Sequence, residues 1–159
     1  MKKLLIGAAL LAMPGLASAA AMTGAQYVAK AGASDQYEIQ SSRLVLATTK
    51  NAKLHSFAEG MIQDHTKSTA DVKAAAKAGK VIAGPPHLDA TGTKNIAALK
   101  AKTGTARDAL YIHQQKASHQ MALQLQQGYA DTGSVAPLKA AAAKIVPVVK
   151  HHIGELASM

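Results

Sequence analysis

The residues of this 159-residue chain that offer chemistry are its seven histidines and a few carboxylates, because cysteine is absent. Three of the histidines, His65, His119 and His152, fall within apolar stripes that repeat with the period of a helix. Glu38 falls on a similar stripe nearer the start of the chain. A polar group that a helix turns toward a core needs a hydrogen-bond partner or an ion. These four side chains are therefore the candidate site.

Neutral imidazole combined with carboxylate suits divalent transition metals such as zinc, copper or iron, and helical bundles hold such ions between facing helices. The candidate metal ligands are Glu38, His65, His119 and His152. Asp64 and Asp108 are candidates to orient these ligands through hydrogen bonds. The alternative is a non-catalytic structural or stress-related protein. In it these side chains form a hydrogen-bonded network, with Tyr111 and Gln115 as further partners, that only fixes how the helices pack.

The spacing of the histidines argues against the dinuclear iron site of ferritins. That site requires a Glu-x-x-His pair on each of two helices. The residues three positions before the inward histidines are Ile62, Lys116 and Val149. A single ion or a hydrogen-bonded network is therefore favoured, and four side chains can share one ion only if they lie at one height in the bundle.

The other four histidines carry less weight. His55 stands near a predicted helix start and His87 in a proline-rich segment, so we expect both to be exposed. His113 and His151 lie about 100° or more away from the inward face of their helices. We therefore interpret these two as surface residues or, at most, as outer ligands.

Helix-breaking residues divide the chain into the elements that must position these groups. Pro85 and Pro86 exclude a helix that continues through residues 83–92 and predict a long crossover, with a short helix that begins at Asp89 or Thr91 and runs to about Lys102. Residues 128–134 read as a turn, and Asn51 as a helix cap. Four long helices are predicted over residues 25–49, 52–78, 105–127 and 135–156. The predicted fold is all-α, a four-helix bundle of ferritin-like type with one long crossover and a short extra helix.

The N-terminus has the pattern of a signal peptide. Lys2 and Lys3 precede an apolar stretch over residues 4–16, and small residues follow up to Ala19. The apolar stretch is shorter than the roughly 20 residues that a membrane-spanning helix needs. We therefore predict cleavage after Ala19, one bundle domain over residues 20–159, and a periplasmic or secreted location.

Charge and motifs limit the classes of function. Loss of the two lysines in residues 1–19 lowers the formal net charge from +9 to +7. Sparse arginine and aromatic residues argue against nucleic acid as a partner, and the lysines indicate either a solvated face or weak attraction to an anionic envelope surface. No feature of the sequence indicates an oligomeric state.

The sequence has no cysteine, no Gly-x-Ser-x-Gly elbow and no phosphate-binding glycine loop. It therefore identifies no catalytic residue and favours a non-enzymatic protein. A metal-dependent oxidoreductase using iron or manganese is the third alternative.

Several stretches resemble the bacterial domain-of-unknown-function family 4142, whose members are ferritin-like and exported. "FAEGMIQDHTKS" places Asp64 and His65 on the family's Asp-His pair, and "YVAKAGASDQYEIQSSRLVL" places Glu38 on its glutamate. "RDALYIHQQKASHQMAL" and "IVPVVKHHIGEL" place His119 and His152 in its last two long helices. The chain departs from the family at Ala106 or Arg107, where the family usually has an aromatic residue. It also departs at His113 and His151, near which the family often has acids. The resemblance implies the fold and export, and it implies no reaction.

Overall fold

The structure is a computed structural model that describes residues 22–159, and all of the regular secondary structure in this range is helical. The five helices are α1 (Gly24–Leu46), α2 (Ala52–Ala78), α3 (Ala90–Lys100), α4 (Gly104–Thr132) and α5 (Ala136–Ala157). The predicted all-α class, with four long helices and one short helix, is confirmed. The predicted signal peptide lies outside the described residues. No helix in residues 22–159 has both the length and the apolar character needed to cross a membrane.

The four long helices form two hairpins, α1 with α2 and α4 with α5, and α1 packs against α4 while α2 packs against α5. Near the start of α1, the Tyr27 hydroxyl donates to Gln126 Oε1 at 2.6 Å, close to the end of α4. At the start of α2, Lys53 donates to the Ser158 carbonyl just after α5. Helices α1 and α4 are therefore antiparallel, as are α2 and α5, and α2 and α4 run in the same direction.

Two helices that run in the same direction require a connection along the length of the bundle, and residues 79–103 supply it. Helix α3 lies in this crossover and packs on α1 and α4. Its N-terminus is capped by Asp89, whose carboxylate accepts from the Gly92 amide at 2.6 Å. At the C-terminal end of the crossover, the buried Arg107 side chain donates to the Lys102 carbonyl at 2.7 Å and to the Leu44 carbonyl at 2.8 Å. One arginine thus ties the crossover to the end of α1.

The core has two apolar clusters with a polar layer between them. One cluster surrounds Tyr27 and Tyr129, and the other surrounds Phe57 and Tyr111. On all four long helices, the chain passes from one cluster to the other through buried polar residues. These residues are Asp35, Glu38, Ser41 and Ser42 on α1, His65 and Ser68 on α2, Gln115 and His119 on α4, and His152 on α5. The polar groups of the four helices therefore lie at the same height.

The turn predicted over residues 128–134 is shorter in the structure, because α4 continues through Gly128 to Thr132. A glycine in a helix interior costs only about 1 kcal/mol relative to alanine. Tyr129 is buried and stacks on Tyr27 with ring centroids 4.0 Å apart, and this contact keeps the last turn helical. The predicted cap at Asn51 is present, with its side chain accepting from the Leu54 amide at 3.2 Å.

Candidate metal centre

Three helices each contribute one histidine to a single cluster in the polar layer. His65, His119 and His152 are at most 5% exposed, and one ring nitrogen from each lies within 4.8 Å of the other two. The ring centroids are 5.3 Å apart for His119 and His152, 5.7 Å for His65 and His152, and 5.8 Å for His65 and His119. The three imidazoles therefore surround one point.

His65 is oriented by a carboxylate of α1. Its Nδ1 lies 2.8 Å from Asp35 Oδ1, and Asp35 Oδ2 accepts from the Thr69 hydroxyl at 2.9 Å. A carboxylate only accepts, so Nδ1 carries the proton, while Nε2 is buried with no hydrogen-bond partner in the described part of the chain. Burial lowers the pKa of His65, but the bond to Asp35 and the charges of Glu38, Asp35 and Asp64 outweigh burial and raise that pKa above its usual value.

His119 is oriented by its own helix. Its Nδ1 lies 3.0 Å from the backbone carbonyl oxygen of Gln115, one turn earlier. Because a carbonyl only accepts, Nδ1 carries the proton and Nε2 presents a lone pair. Burial, reinforced by the neighbouring His65 and His152, lowers the pKa of His119 to about 3. His119 is therefore a neutral imidazole near pH 7.

His152 is oriented by a carboxylate of α2. Its Nε2 lies 3.0 Å from Asp64 Oδ2, and its Nδ1 lies 3.3 Å from His119 Nε2. Burial lowers the pKa of His152 more than the bond to Asp64 raises it, so the ring is neutral and carries one proton. When that proton is on Nε2, facing the carboxylate, the lone pairs of His152 Nδ1 and His119 Nε2 point at each other.

Two facing lone pairs repel unless a proton or a cation lies between them. Two nitrogens bound to one tetrahedral zinc ion at about 2.0–2.1 Å stand about 3.3 Å apart. The observed separation of His119 Nε2 and His152 Nδ1 is 3.3 Å. In each of the three rings, one nitrogen faces an oxygen acceptor. The other nitrogen, which is Nε2 of His65, Nε2 of His119 and Nδ1 of His152, has no oxygen acceptor in residues 22–159 and is available to an ion. Metal-bound histidines are held in this way.

Glu38 lies beside this cluster. It is fully buried, and its Oε1 accepts from the Ser118 hydroxyl at 2.8 Å and lies 3.8 Å from His119 Nδ1. That nitrogen faces the Gln115 carbonyl oxygen. The contact therefore does not make Glu38 a member of the group of three histidines whose ring nitrogens lie close together. Its Oε2 is buried with no partner among residues 22–159. Burial raises the pKa of Glu38, and the charge of His65 and the bond from Ser118 only partly offset this effect.

The family model for a domain of unknown function, DUF4142, matches residues 11–159. The chain belongs to the DUF4142 family. No curated protein matches its sequence.

Solved structures of DUF305 proteins share the fold. One, from Streptomyces coelicolor and described as a candidate secreted protein, has 15% identity and a TM-score of 0.70, covering 87% of this chain and 91% of that one. Another, a fragment from Deinococcus radiodurans, has 13% identity and a TM-score of 0.73, covering 85% of this chain and 93% of that one. At these identities the likeness concerns the fold alone.

In this DUF4142 protein, the two aspartates expected to orient the ligands have different surroundings. Asp64 contacts His152, whereas Asp108 accepts from the Thr49 hydroxyl at 2.9 Å, near the end of α1. No hydrogen bond joins Asp108 to the three histidines in residues 22–159. Of the further partners considered, Gln115 contributes its backbone carbonyl, while the Tyr111 hydroxyl pairs with Ser42 instead.

Asp35 is the site residue that sequence reasoning missed. Its signal was present, because Asp35 precedes Glu38 by three positions and therefore shares its helix face. The remaining histidines are exposed: His55, His87, His113 and His151. Of these, His55 and His151 each lie 3.5 Å from a glutamate four residues later on the same helix.

Proposed function

We propose that this protein binds one divalent transition-metal ion per chain through His65, His119 and His152. The observation that carries the proposal is that one ring nitrogen from each histidine lies within 4.8 Å of the other two, in rings that each direct one nitrogen at an oxygen acceptor. Three buried imidazoles with outer acceptors are a recurrent way to bind a metal ion in proteins.

The chemistry of the donor set narrows the metal. Imidazole suits zinc, copper and iron, whereas a site for soft ions such as Cu(I) typically draws on thiolate or thioether sulfur. Asp35, Glu38 and Asp64 surround the cluster and provide negative charge against a divalent ion. We assign Glu38 this role of charge balance, and Asp35 and Asp64 the additional role of orienting the rings.

The alternative is that the same residues form only a hydrogen-bonded packing network. Such a network would be incomplete, because His65 Nε2 and Glu38 Oε2 are buried without partners in the described region. Each unpartnered buried polar atom costs about 1–3 kcal/mol. This cost favours an ion over a network as the reason for the arrangement.

The test is a titration of Zn²⁺ into chelator-stripped protein, followed by calorimetry and thermal melts. About one ion per chain should bind and raise the melting temperature, because a ligand that binds only the folded state stabilises it. His65→Ala, His119→Ala and His152→Ala should each abolish this increment, and circular dichroism would show whether each remains helical. The matched controls, His55→Ala and His87→Ala, change exposed histidines and should keep it. The packing network would be established instead if Zn²⁺ did not raise the melting temperature of the wild type, and if only the three inward variants were less stable than the wild type without metal.

We also infer that the protein acts in the periplasm or outside the cell. The support is the N-terminal pattern of Lys2 and Lys3, an apolar stretch and the small residues up to Ala19. One of the structures that share the fold is a candidate secreted protein, which agrees with this compartment.

A further inference from the structure

A cleft of about 120 Å³ lies between α2 and α5, directly beside the proposed metal centre. His65 and His152 line it at one place, and Asp71 and Lys144 line it about two turns farther along the two antiparallel helices. The wall between them includes the apolar side chain of Val149. One side of the histidine cluster therefore borders open space rather than packed core.

Two buried polar atoms on the residues that line this cleft have no hydrogen-bond partner. Ser68 follows His65 by one turn on α2, is 8% exposed, and its Oγ has no partner in the described part of the protein. His65 Nε2 is the other such atom. The Ser68 hydroxyl is therefore a buried donor without a partner in residues 22–159, on a residue that lines the cleft, and it is suited to hydrogen-bond a group that binds next to it.

The charges around the cleft favour an anion. Asp71 pairs with Lys67, whereas Asp64 hydrogen-bonds to the neutral His152 and keeps its negative charge, which Lys144 in the same cleft lining balances. Lys144 is exposed and has no carboxylate within 4.0 Å in the part of the chain that the structure describes. A bound divalent ion would add positive charge at the histidine end.

The size of the cleft sets the class of ligand. A volume of about 120 Å³ suits a ligand of a few non-hydrogen atoms. An ion with three protein nitrogens keeps a fourth position for water or an external ligand.

We propose that the cleft between α2 and α5 admits a small inorganic anion to a fourth position on the metal, where it displaces water and accepts a hydrogen bond from Ser68. This inference rests on the proposed metal site. It makes the protein a metal centre that binds external ligands rather than a closed structural site.

The experiment uses protein loaded with Co²⁺, whose visible spectrum reports coordination, and azide as the probe anion. Azide should change the cobalt spectrum in a saturable way. Ser68→Ala should weaken azide binding about three- to tenfold, the effect of one hydrogen bond, while Co²⁺ affinity stays unchanged. Val148→Phe, at a cleft-lining position that is 38% exposed, should also weaken azide binding by narrowing the cleft.

The matched controls are Ser56→Ala, an exposed serine of α2, and Met121→Phe, an exposed apolar residue of α4 outside the cleft. Both should bind azide as the wild type does. A cobalt spectrum that azide leaves unchanged, or equal azide affinity in Ser68→Ala, Val148→Phe and the wild type, would overturn this inference and leave the metal site standing. Absence of any cobalt spectrum would overturn both proposals.

Discussion

At the scale of single residues, the site depends on which nitrogen of each imidazole is protonated. The acceptors differ in origin: Asp35 comes from α1, Asp64 from α2 and the Gln115 carbonyl from the same helix as its histidine. Each acceptor holds a proton on the nitrogen that faces it, so in the neutral ring the other nitrogen is left with a lone pair. The acceptors therefore decide whether the three rings can bind an ion together.

Asp35 gives the first prediction at this scale. Asp35→Asn keeps the size of the side chain but removes the charge that holds the His65 Nδ1 proton, so Zn²⁺ affinity should fall about 10- to 100-fold. Competition titration against a chelator measures this change. The control is Asp131→Asn, which changes an exposed aspartate near the end of α4. Equal zinc affinity in the two variants would show that Asp35 does not position the ligand.

The depressed pKa of His119 predicts how the metal-free protein responds to pH. In the unfolded chain this histidine takes up a proton near pH 6.5, whereas in the folded chain its pKa is about 3. Between these values the unfolded state binds more protons, so the contribution to the free energy of unfolding falls as the pH falls, by up to about 1.4 kcal/mol per pH unit. His119→Gln stays neutral throughout and should show a shallower decline between pH 6.5 and 4.

Urea denaturation of chelator-treated protein at several pH values measures that slope. His87→Gln, at an exposed position, is the control and should keep the wild-type slope. The groups near His119 that titrate in the opposite sense, Glu38 among them, remain in both proteins. The difference between the two variants therefore reports His119 alone, and identical slopes would contradict its burial as a neutral ring.

At the scale of helices, the polar layer depends on the apolar clusters on either side of it. Phe57 on α2 belongs to one cluster, and its ring lies edge-on to Tyr111 and His152, with centroids 6.4 Å and 6.1 Å away. The same helix therefore packs the core with Phe57 and presents His65 two turns later. The inward face of α2 carries both the stability and the site.

Phe57→Ala should therefore lower the free energy of unfolding by about 3–5 kcal/mol, because it leaves a cavity in a close-packed core. Lys73→Ala, on the exposed side of α2, should change it by no more than about 0.5 kcal/mol. Thermal melts of the two variants compare them directly. Equal melting temperatures would mean that α2 turns its other face inward.

At the scale of the whole molecule, the order of the helices explains how the chain packs four long helices around one core. Two hairpins form from neighbouring segments, and the crossover over residues 79–103 lets α4 run in the same direction as α2. Arg107 then holds the end of the crossover against α1. This topology places three histidines from distant parts of the sequence in one layer.

Export of the whole chain is the prediction at this scale. Expression with the native N-terminus should give a periplasmic or secreted protein that begins at Ala20, because the small residues at Ala17 and Ala19 suit signal peptidase. Intact mass spectrometry of the isolated protein measures the cleavage position. A membrane fraction that retains Met1 would contradict the signal-peptide interpretation.

The sequence by itself determined the helices, the crossover and the inward direction of Glu38, His65, His119 and His152, because these depend on local periodicity and on Gly and Pro breaks. Only the tertiary structure decided that three of these four side chains converge, that Asp35 rather than Asp108 orients one of them, and that Ser68 lies on an open cleft. The physical reason is register. The height at which side chains from separate helices meet depends on how those helices pack against one another, and no local pattern encodes it.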